Sequence, residues 1–299
     1  MRKNLVRVLL IIAIILQSFL VYSIFDNRAR IYALRESIQL EEENNEKLKK
    51  DLDKISKNKR KLKDEIEKEK LKKKKIEEEK KSRLREENSN NKKIVYLTFD
   101  DGPSSNTSKI LDILKENNIN ATFFVNGSNT EYCKAIYKRI TNEGNAIGNH
   151  TYSHNYRYIY RNKENFIKDF YKLQNLIKET TGVEPNILRF PGGSNNTVSH
   201  NYGGKKIMKE LTRHMDEKNY AYFDWNVDST DASVPLQDKD KIVDSVLNNS
   251  INLNKAIVLM HDSGRKNTTV EALPEIIKEL KSMGYEFRTL SPSEFRVVF

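Results

Sequence analysis

The sequence predicts an α/β domain built on a mostly parallel sheet or a barrel, and three observations carry that expectation. From residue 94 onward, short apolar runs alternate with amphipathic stretches of helical spacing. Helical stretches close at turn signals such as Gly144 and Gly182. The ionisable residues cluster just past the ends of the apolar runs, as in folds that gather their chemistry at the carboxyl ends of strands.

The expected strands are 94–99, 121–126, 146–149, 187–190, 220–227, 256–260 and 285–290, with helices such as 108–117, 131–142, 163–180 and 238–248 between them. Upstream the composition changes. Residues 8–25 are apolar except for Gln17, Ser18, Tyr22 and Ser23, and Arg2, Lys3 and Arg7 precede them. A run of about 18 residues can span a bilayer, and the flanking charge favours an inside N-terminus. Residues 1–27 are therefore expected to be a transmembrane signal anchor, single-pass in the cell membrane, with the remainder on the extracellular side. The competing reading is a signal peptide cleaved after Ser23, which would release the chain. The length of the run and the lack of an Ala-x-Ala site favour the anchor.

Residues 28–87 read as a helical or coiled-coil stalk. Leu34, Leu48, Ile55, Leu62 and Ile76 share one heptad position, and Ile38, Leu52 and Ile66 another. Glu41, Glu69 and Arg83 interrupt the first seam position, and Asn45, Lys59, Lys73 and Lys80 the second. A weak dimer through the stalk and a single ion-paired helix both remain open. A fully helical stalk would reach on the order of 80 Å. Residues 88–93 read as a polar hinge, and 94–299 as the folded domain. The net charge is +11, and Lys, Arg and Glu crowd the stretch 41–93. An anionic cell surface explains that excess as well as nucleic acid would. No basic patch interleaved with aromatics appears, so nucleic acid is not an expected partner. Cys133 is the single cysteine, which excludes an intrachain disulfide; it reads as a small hydrophobe on a helix.

The chemistry begins at Asp100 and Asp101, side by side after the first apolar run. Two carboxylates at the mouth of a buried strand are costly unless one is neutralised, and a metal ion is the usual remedy. The third run ends in His150-Thr151-Tyr152-Ser153-His154. Histidines four apart can aim both rings at one point, and two imidazoles with one carboxylate make a facial set that leaves positions open for water and substrate. Zinc is the default ion there, with cobalt or another divalent ion as alternatives. The fourth run leads to Arg189-Phe190-Pro191-Gly192-Gly193, the fifth to Asp228-Ser229-Thr230-Asp231, and the sixth to Leu259-Met260-His261-Asp262. Of the five histidines, His200 and His214 lie outside these segments and read as solvent-facing or structural.

In order and spacing, Thr98–Gly102, His150–His154, the Arg189 segment, Asp228–Asp231 and Leu259–His261 resemble the five motifs of the polysaccharide deacetylase (NodB-homology) family, over roughly residue 93 to the C-terminus. The resemblance implies a deformed (β/α)₇ barrel and metal-dependent removal of acetyl groups from N-acetylated sugars. Carried over by motif, Asp101, His150 and His154 would hold the metal. Asp100 would be the general base, with Arg189 orienting it. His261 would be the general acid, tuned by Asp231. Leu259 would help to form the acetyl pocket.

Those roles suit amide hydrolysis, which needs an activated water, a stabilised oxyanion and a protonated leaving amine. The backbone N–H of Gly192 is the expected protein donor to the oxyanion. The chain departs from the family pattern twice. The arginine motif usually continues Pro-Pro-Tyr-Gly, where this chain has Phe190-Pro191-Gly192-Gly193. The fourth motif usually ends Asp-Trp, where Ala232 follows Asp231. Tyr152, Tyr202 or Trp225 would have to supply a missing aromatic wall, although Trp225 also reads as packing within its strand. With the anchor and stalk, the resemblance implies a substrate of N-acetylglucosamine units in cell-wall peptidoglycan. The alternatives are chitin oligomers, an exopolysaccharide or acetylxylan, or glycan binding without turnover.

Overall fold

The computed structural model describes residues Arg2–Phe299, with side chains described for 5–78 and 92–299. Two compact units divide the chain, Met1–Leu84 and Arg85–Phe299. The first is a single helix, part of α1 (Arg2–Asn91). Its apolar side chains from Leu5 to Phe25 are exposed. That segment is long and apolar enough to cross a membrane by length and composition. The heptad residues Leu34, Ile38, Leu48, Leu52, Ile55, Leu62, Ile66 and Ile76 are exposed as well. Ion pairs one helical turn apart, Asp26–Arg30 and Asp53–Lys57, support the helix and contribute about 0.3–0.5 kcal/mol each. The side chains of Arg2, Lys3, Lys80 and Arg83 lie outside the described residues. Helical backbone continues to Asn91, so it covers most of the segment 88–93 read as a hinge.

The second unit is a parallel α/β fold. In chain order it contains β1 (Ile94–Asp100), α2 (Ser105–Glu116), β2 (Thr122–Val125), α3 (Glu131–Asn142), β3 (Ala146–Asn149), α4 (Tyr156–Ile159), α5 (Lys163–Thr181) and β4 (Ile187–Leu188). These are followed by α6 (His200–Gly203), α7 (Ile207–Glu217), β5 (Ala221–Tyr222), β6 (Val227–Asp228), α8 (Lys239–Ser250), β7 (Lys255–His261), α9 (Asn267–Ser282) and β8 (Glu286–Phe287). The sheet runs β5-β4-β3-β2-β1-β7-β6, and β8 pairs with the start of β1. Every pairing is parallel. All seven residues of β1 are buried, as expected of a central parallel strand covered on both faces. Val95, Leu97 and Phe99 face the helices, where they pack with Leu111 of α2 and Ile276 of α9. Ile94 and Tyr96 point to the other face, with Phe124, Phe223 and Ile257.

The run 220–227 differs from the expectation of one strand. It divides into β5 and β6, which lie on opposite edges of the sheet. Seven strands in a flat sheet would set those edges about 29 Å apart, at roughly 4.8 Å per spacing. The short link from Tyr222 to Val227 can span at most about 18 Å. The sheet must therefore curl until its edges approach, as an incompletely closed barrel. Residues 223–226 bridge the open seam, with the Asp224 N–H donating to the Val297 carbonyl (2.9 Å).

Candidate active site

The register of the sheet assembles the site. Asp100, the last residue of β1, pairs with His261, the last residue of β7. Two strands away, β3 ends at Asn149, so His150 starts the loop on the same rim. Arg189 follows β4 and its N–H donates to the Asn149 carbonyl (3.0 Å).

The Arg189 side chain is fully buried. Its Nη1 donates to Asp100 Oδ1 (2.9 Å) and Thr98 Oγ1 (2.7 Å), its Nε to the Phe223 carbonyl (2.9 Å) and its Nη2 to the Asp224 carbonyl (3.2 Å). The guanidinium also lies over the Phe124 ring, 4.5 Å from its centroid. Because Phe223 and Asp224 lie in the seam, one cation ties the barrel's opening to the Asp100 carboxylate. Burial raises the Asp100 pKa, and Arg189 and then His261 oppose that rise.

Asp101, His150 and His154 converge, with one ligand atom from each lying within 4.8 Å of the others. Asp101 Oδ1 is 3.6 Å from His150 Nε2 and 3.3 Å from His154 Nε2. Donors held 2.0–2.2 Å from a tetrahedral ion would lie about 3.3–3.6 Å apart. Asp101 Oδ1 is buried and has no hydrogen-bond partner among the described residues. His150 Nδ1 lies 2.8 Å from the Arg189 carbonyl. That contact places the proton on Nδ1 and leaves the Nε2 lone pair facing Asp101. Burial, and then the charge of His154, push the His150 pKa down to about 3, so the ring is neutral and able to ligate. The three residues thus fit a divalent cation in spacing, with His150 neutral and Asp101 Oδ1 left without a partner among the described residues.

Their backbone is unusual too. Asp101, Thr151 and His154 have φ of 79°, 68° and 49°. Left-handed backbone at non-glycine residues costs on the order of 1–3 kcal/mol each and clusters at functional sites. The His150–His154 loop is held by Asp169 of α5, whose Oδ1 accepts from the Tyr152 N–H (2.7 Å) and the Ser153 N–H (3.0 Å). Asn149 braces it from below, with Oδ1 accepting from the Thr151 N–H (2.8 Å). Gly102 is required because an added Cβ would collide with the buried Asp262 carboxylate.

On the far side, Asp231 Oδ1 lies 2.8 Å from His261 Nδ1. Asp231 Oδ2 accepts from the His261 N–H (2.7 Å) and the Thr269 hydroxyl (2.9 Å). Burial pulls the His261 pKa down, but the hydrogen bond and charge of Asp231, then Asp100 and Asp101, outweigh it and raise it to about 9. The imidazolium is therefore the dominant form at neutral pH, with Nδ1 occupied.

A match to the family model described as polysaccharide deacetylase spans residues 87–211. A peptidoglycan-N-acetylglucosamine deacetylase of Bacillus cereus is 37% identical over 210 residues, covering 69% of this chain and 70% of that protein. The chain belongs to the polysaccharide deacetylase family. That membership places it among the hydrolases that remove acetyl groups from polysaccharides. Among solved structures, the catalytic domain of peptidoglycan N-acetylglucosamine deacetylase from Eubacterium rectale matches with a TM-score of 0.66 and 35% identity, covering 69% of this chain and 92% of that one. A CE4 esterase from Streptococcus mutans matches with a TM-score of 0.59 and 32% identity, covering 68% and 88%. The family's deformed barrel is the curled parallel sheet described above. Asp231, Leu259 and His261 lie beyond the segment matched by the family model.

Of the residues expected to touch substrate, Leu259 is buried on β7 two residues before His261. Gly192 lies in the loop after Arg189, and its N–H has no partner among the described residues. The Tyr152 ring packs against Gly127 and carries the Lys172 ammonium over one face, 3.6 Å from its centroid. Trp225 is not in a strand. Its ring meets Phe299 edge-on at 5.1 Å and lies beside Gly193 and the Arg189 guanidinium. No sequence pattern gives Thr98, Asn149, Asp169 or Asp224 a role. Asp169 left one signal: a carboxylate on the apolar face of α5, in line with Phe166, Phe170 and Leu173.

Proposed function

We propose that this chain is a divalent-metal-dependent N-deacetylase acting on N-acetylglucosamine units of cell-wall peptidoglycan, with zinc as its ion. The Asp101, His150 and His154 cluster beside two differently tuned acid–base groups carries the reading. In this assignment Asp101, His150 and His154 hold the ion, whose contribution when bound is to polarise the acetyl carbonyl and acidify the attacking water. Asp100 keeps Oδ1 on Arg189 and uses Oδ2, 3.8 Å from His150 Nε2, to take the proton from that water. The water oxygen bonds to the carbonyl carbon, and the C=O π pair moves onto oxygen, where the Gly192 N–H donates to it. His261, protonated beside Asp231, gives its proton to the nitrogen as the C–N bond breaks. Acetic acid and a free amine leave, the acid passing its proton to the amine or to solvent, and the proton held by Asp100 returns His261 to its starting state.

The apolar N-terminal helix and the charged helix after it support a membrane-anchored enzyme working outside the cell, with the stalk as spacer or weak dimer. Residues 1–27 would be the anchor, 28–87 the stalk and 94–299 the catalytic domain. Polysaccharide ester cleavage is the second reading, favoured by the similarity to a CE4 esterase and by Gly192 and Ala232 standing where the family pattern has aromatic residues. Acetate release from peptidoglycan, chitin oligomers and acetylxylan, with metal content measured on the same sample, separates them. Release from acetylxylan alone would overturn the peptidoglycan assignment.

A further inference from the structure

Tyr156 lies two residues beyond His154, at the start of α4, and the acid–base scheme above does not use it. Its ring meets His154 edge-on at 5.5 Å and Tyr160 edge-on at 5.3 Å. The Tyr160 hydroxyl donates to the Pro191 carbonyl (2.8 Å), and the Asn196 amide donates to the Gly193 carbonyl (3.0 Å). The tyrosine pair and the loop after Arg189 are thus bound to one another. Gly192 sits in that loop with φ 78°, and a Cβ added there would come within 2.7 Å of the Tyr156 hydroxyl oxygen. The phenol therefore fills the space that any side chain at position 192 would take. Its electrostatic environment includes Asp101 and Asp100, which places it on the reactive rim.

Two donors lack partners at this point. Among the described residues neither the Tyr156 hydroxyl nor the Gly192 N–H makes a hydrogen bond. The half-buried Tyr156 hydroxyl, left unmet beside a reaction centre, is costly unless a ligand meets it, and the Gly192 N–H is open to the same ligand from the exposed loop. An oxyanion is a ligand that suits two neighbouring donors.

We propose that the Tyr156 hydroxyl is a catalytic oxyanion donor, acting with the Gly192 N–H, and that glycine at 192 serves to admit it. The inference rests on the deacetylase reading. As the water oxygen bonds to the acetyl carbon and the π pair moves to the carbonyl oxygen, that oxygen takes hydrogen bonds from both groups. No proton leaves the phenol. When the C–N bond breaks and the nitrogen takes a proton from His261, the C=O bond re-forms and both donors are released unchanged.

The test is steady-state acetate release from N-acetylglucosamine oligomers by the full chain and by Tyr156→Phe, which keeps the ring against His154 and Tyr160. The kcat is expected to fall by about 100-fold, as when one oxyanion donor is removed. The KM, bound metal and Tm should stay unchanged. Gly192→Ala should cost much more in the wild-type background than in Tyr156→Phe, because the clash is with the hydroxyl. Unchanged kcat in Tyr156→Phe, loss of metal from it, or equal Gly192→Ala losses in the two backgrounds would overturn the proposal. A wild-type chain that releases no acetate would overturn the deacetylase reading together with it. An active wild type with unchanged Tyr156→Phe kinetics would overturn the hydroxyl's role alone.

Discussion

Replacing Asp231 by Asn tests the acid half of the site. The Asp231 carboxylate receives three hydrogen bonds, two of them from His261, and the Asn variant keeps the side chain's size while removing the charge and turning one acceptor into an N–H donor. The His261 pKa stands at about 9 against an ordinary value of 6.5. Without the Asp231 charge, burial still pulls down while Asp100 and Asp101 pull up, so the ordinary value is the working reference. The difference of about 2.5 pH units corresponds to about 3 kcal/mol of preference for the imidazolium. At pH 8 the protonated fraction should fall from about 90% to about 3%, a loss of roughly 30-fold in active enzyme. The alkaline limb of kcat/KM against pH should therefore move from near 9 to below 7. Thermal unfolding supplies a second measurement. Because His261 has a raised folded pKa, its contribution is fully present below about pH 6.5 and is lost as pH rises through about 9. Asp231 has a lowered folded pKa, so the same pair is lost again in acid. Wild-type Tm should decline between pH 7 and 10, and Asp231→Asn should show little of that decline. An alkaline limb that stays in place in the variant would refute His261 as the proton donor.

Four further outcomes are expected. Asp100→Asn should lower kcat by at least about 100-fold, the scale of a lost general base, with bound metal kept, whereas His154→Ala should lose the metal and the rise in Tm that added zinc gives the wild type. Full activity in the first or normal metal content in the second would contradict the assignment concerned. Asp169→Ala orphans the Tyr152 and Ser153 N–H groups, at about 1–3 kcal/mol each. Denaturant unfolding should show that loss and zinc titration a weaker affinity; an unchanged affinity would mean that the metal loop does not need this brace. Sedimentation of chains 28–299 and 94–299 should show whether the exposed heptad residues self-associate, and identical monomeric behaviour of both would exclude a stalk dimer.

Much of the site was legible because the family's chemistry is written in short segments at strand ends. Asp100, Asp101, His150, His154, Arg189 and His261 were found from their positions after apolar runs, and the parallel register brings those ends to one rim. Helix 131–142 was read with the boundaries it has, since Thr130 caps its start and its apolar residues recur with helical period. The run 220–227 was misread because an apolar strand and two edge strands joined across a seam look alike in one dimension. Only the curl of the sheet separates them.

Local features follow from the order of residues: strand and helix order, the apolar N-terminal segment, and which ionisable residues follow which strand. Tertiary structure alone decided the pairings. It set Arg189 across the seam onto Thr98 and Asp100, placed Asp169 beneath the histidine loop, and brought the Tyr156 hydroxyl into the space left by Gly192. Each joins residues far apart in the chain, and their meeting depends on sheet closure and on the backbone angles of loops. Apolar periodicity encodes which face of an element is buried, not which distant side chain it meets there.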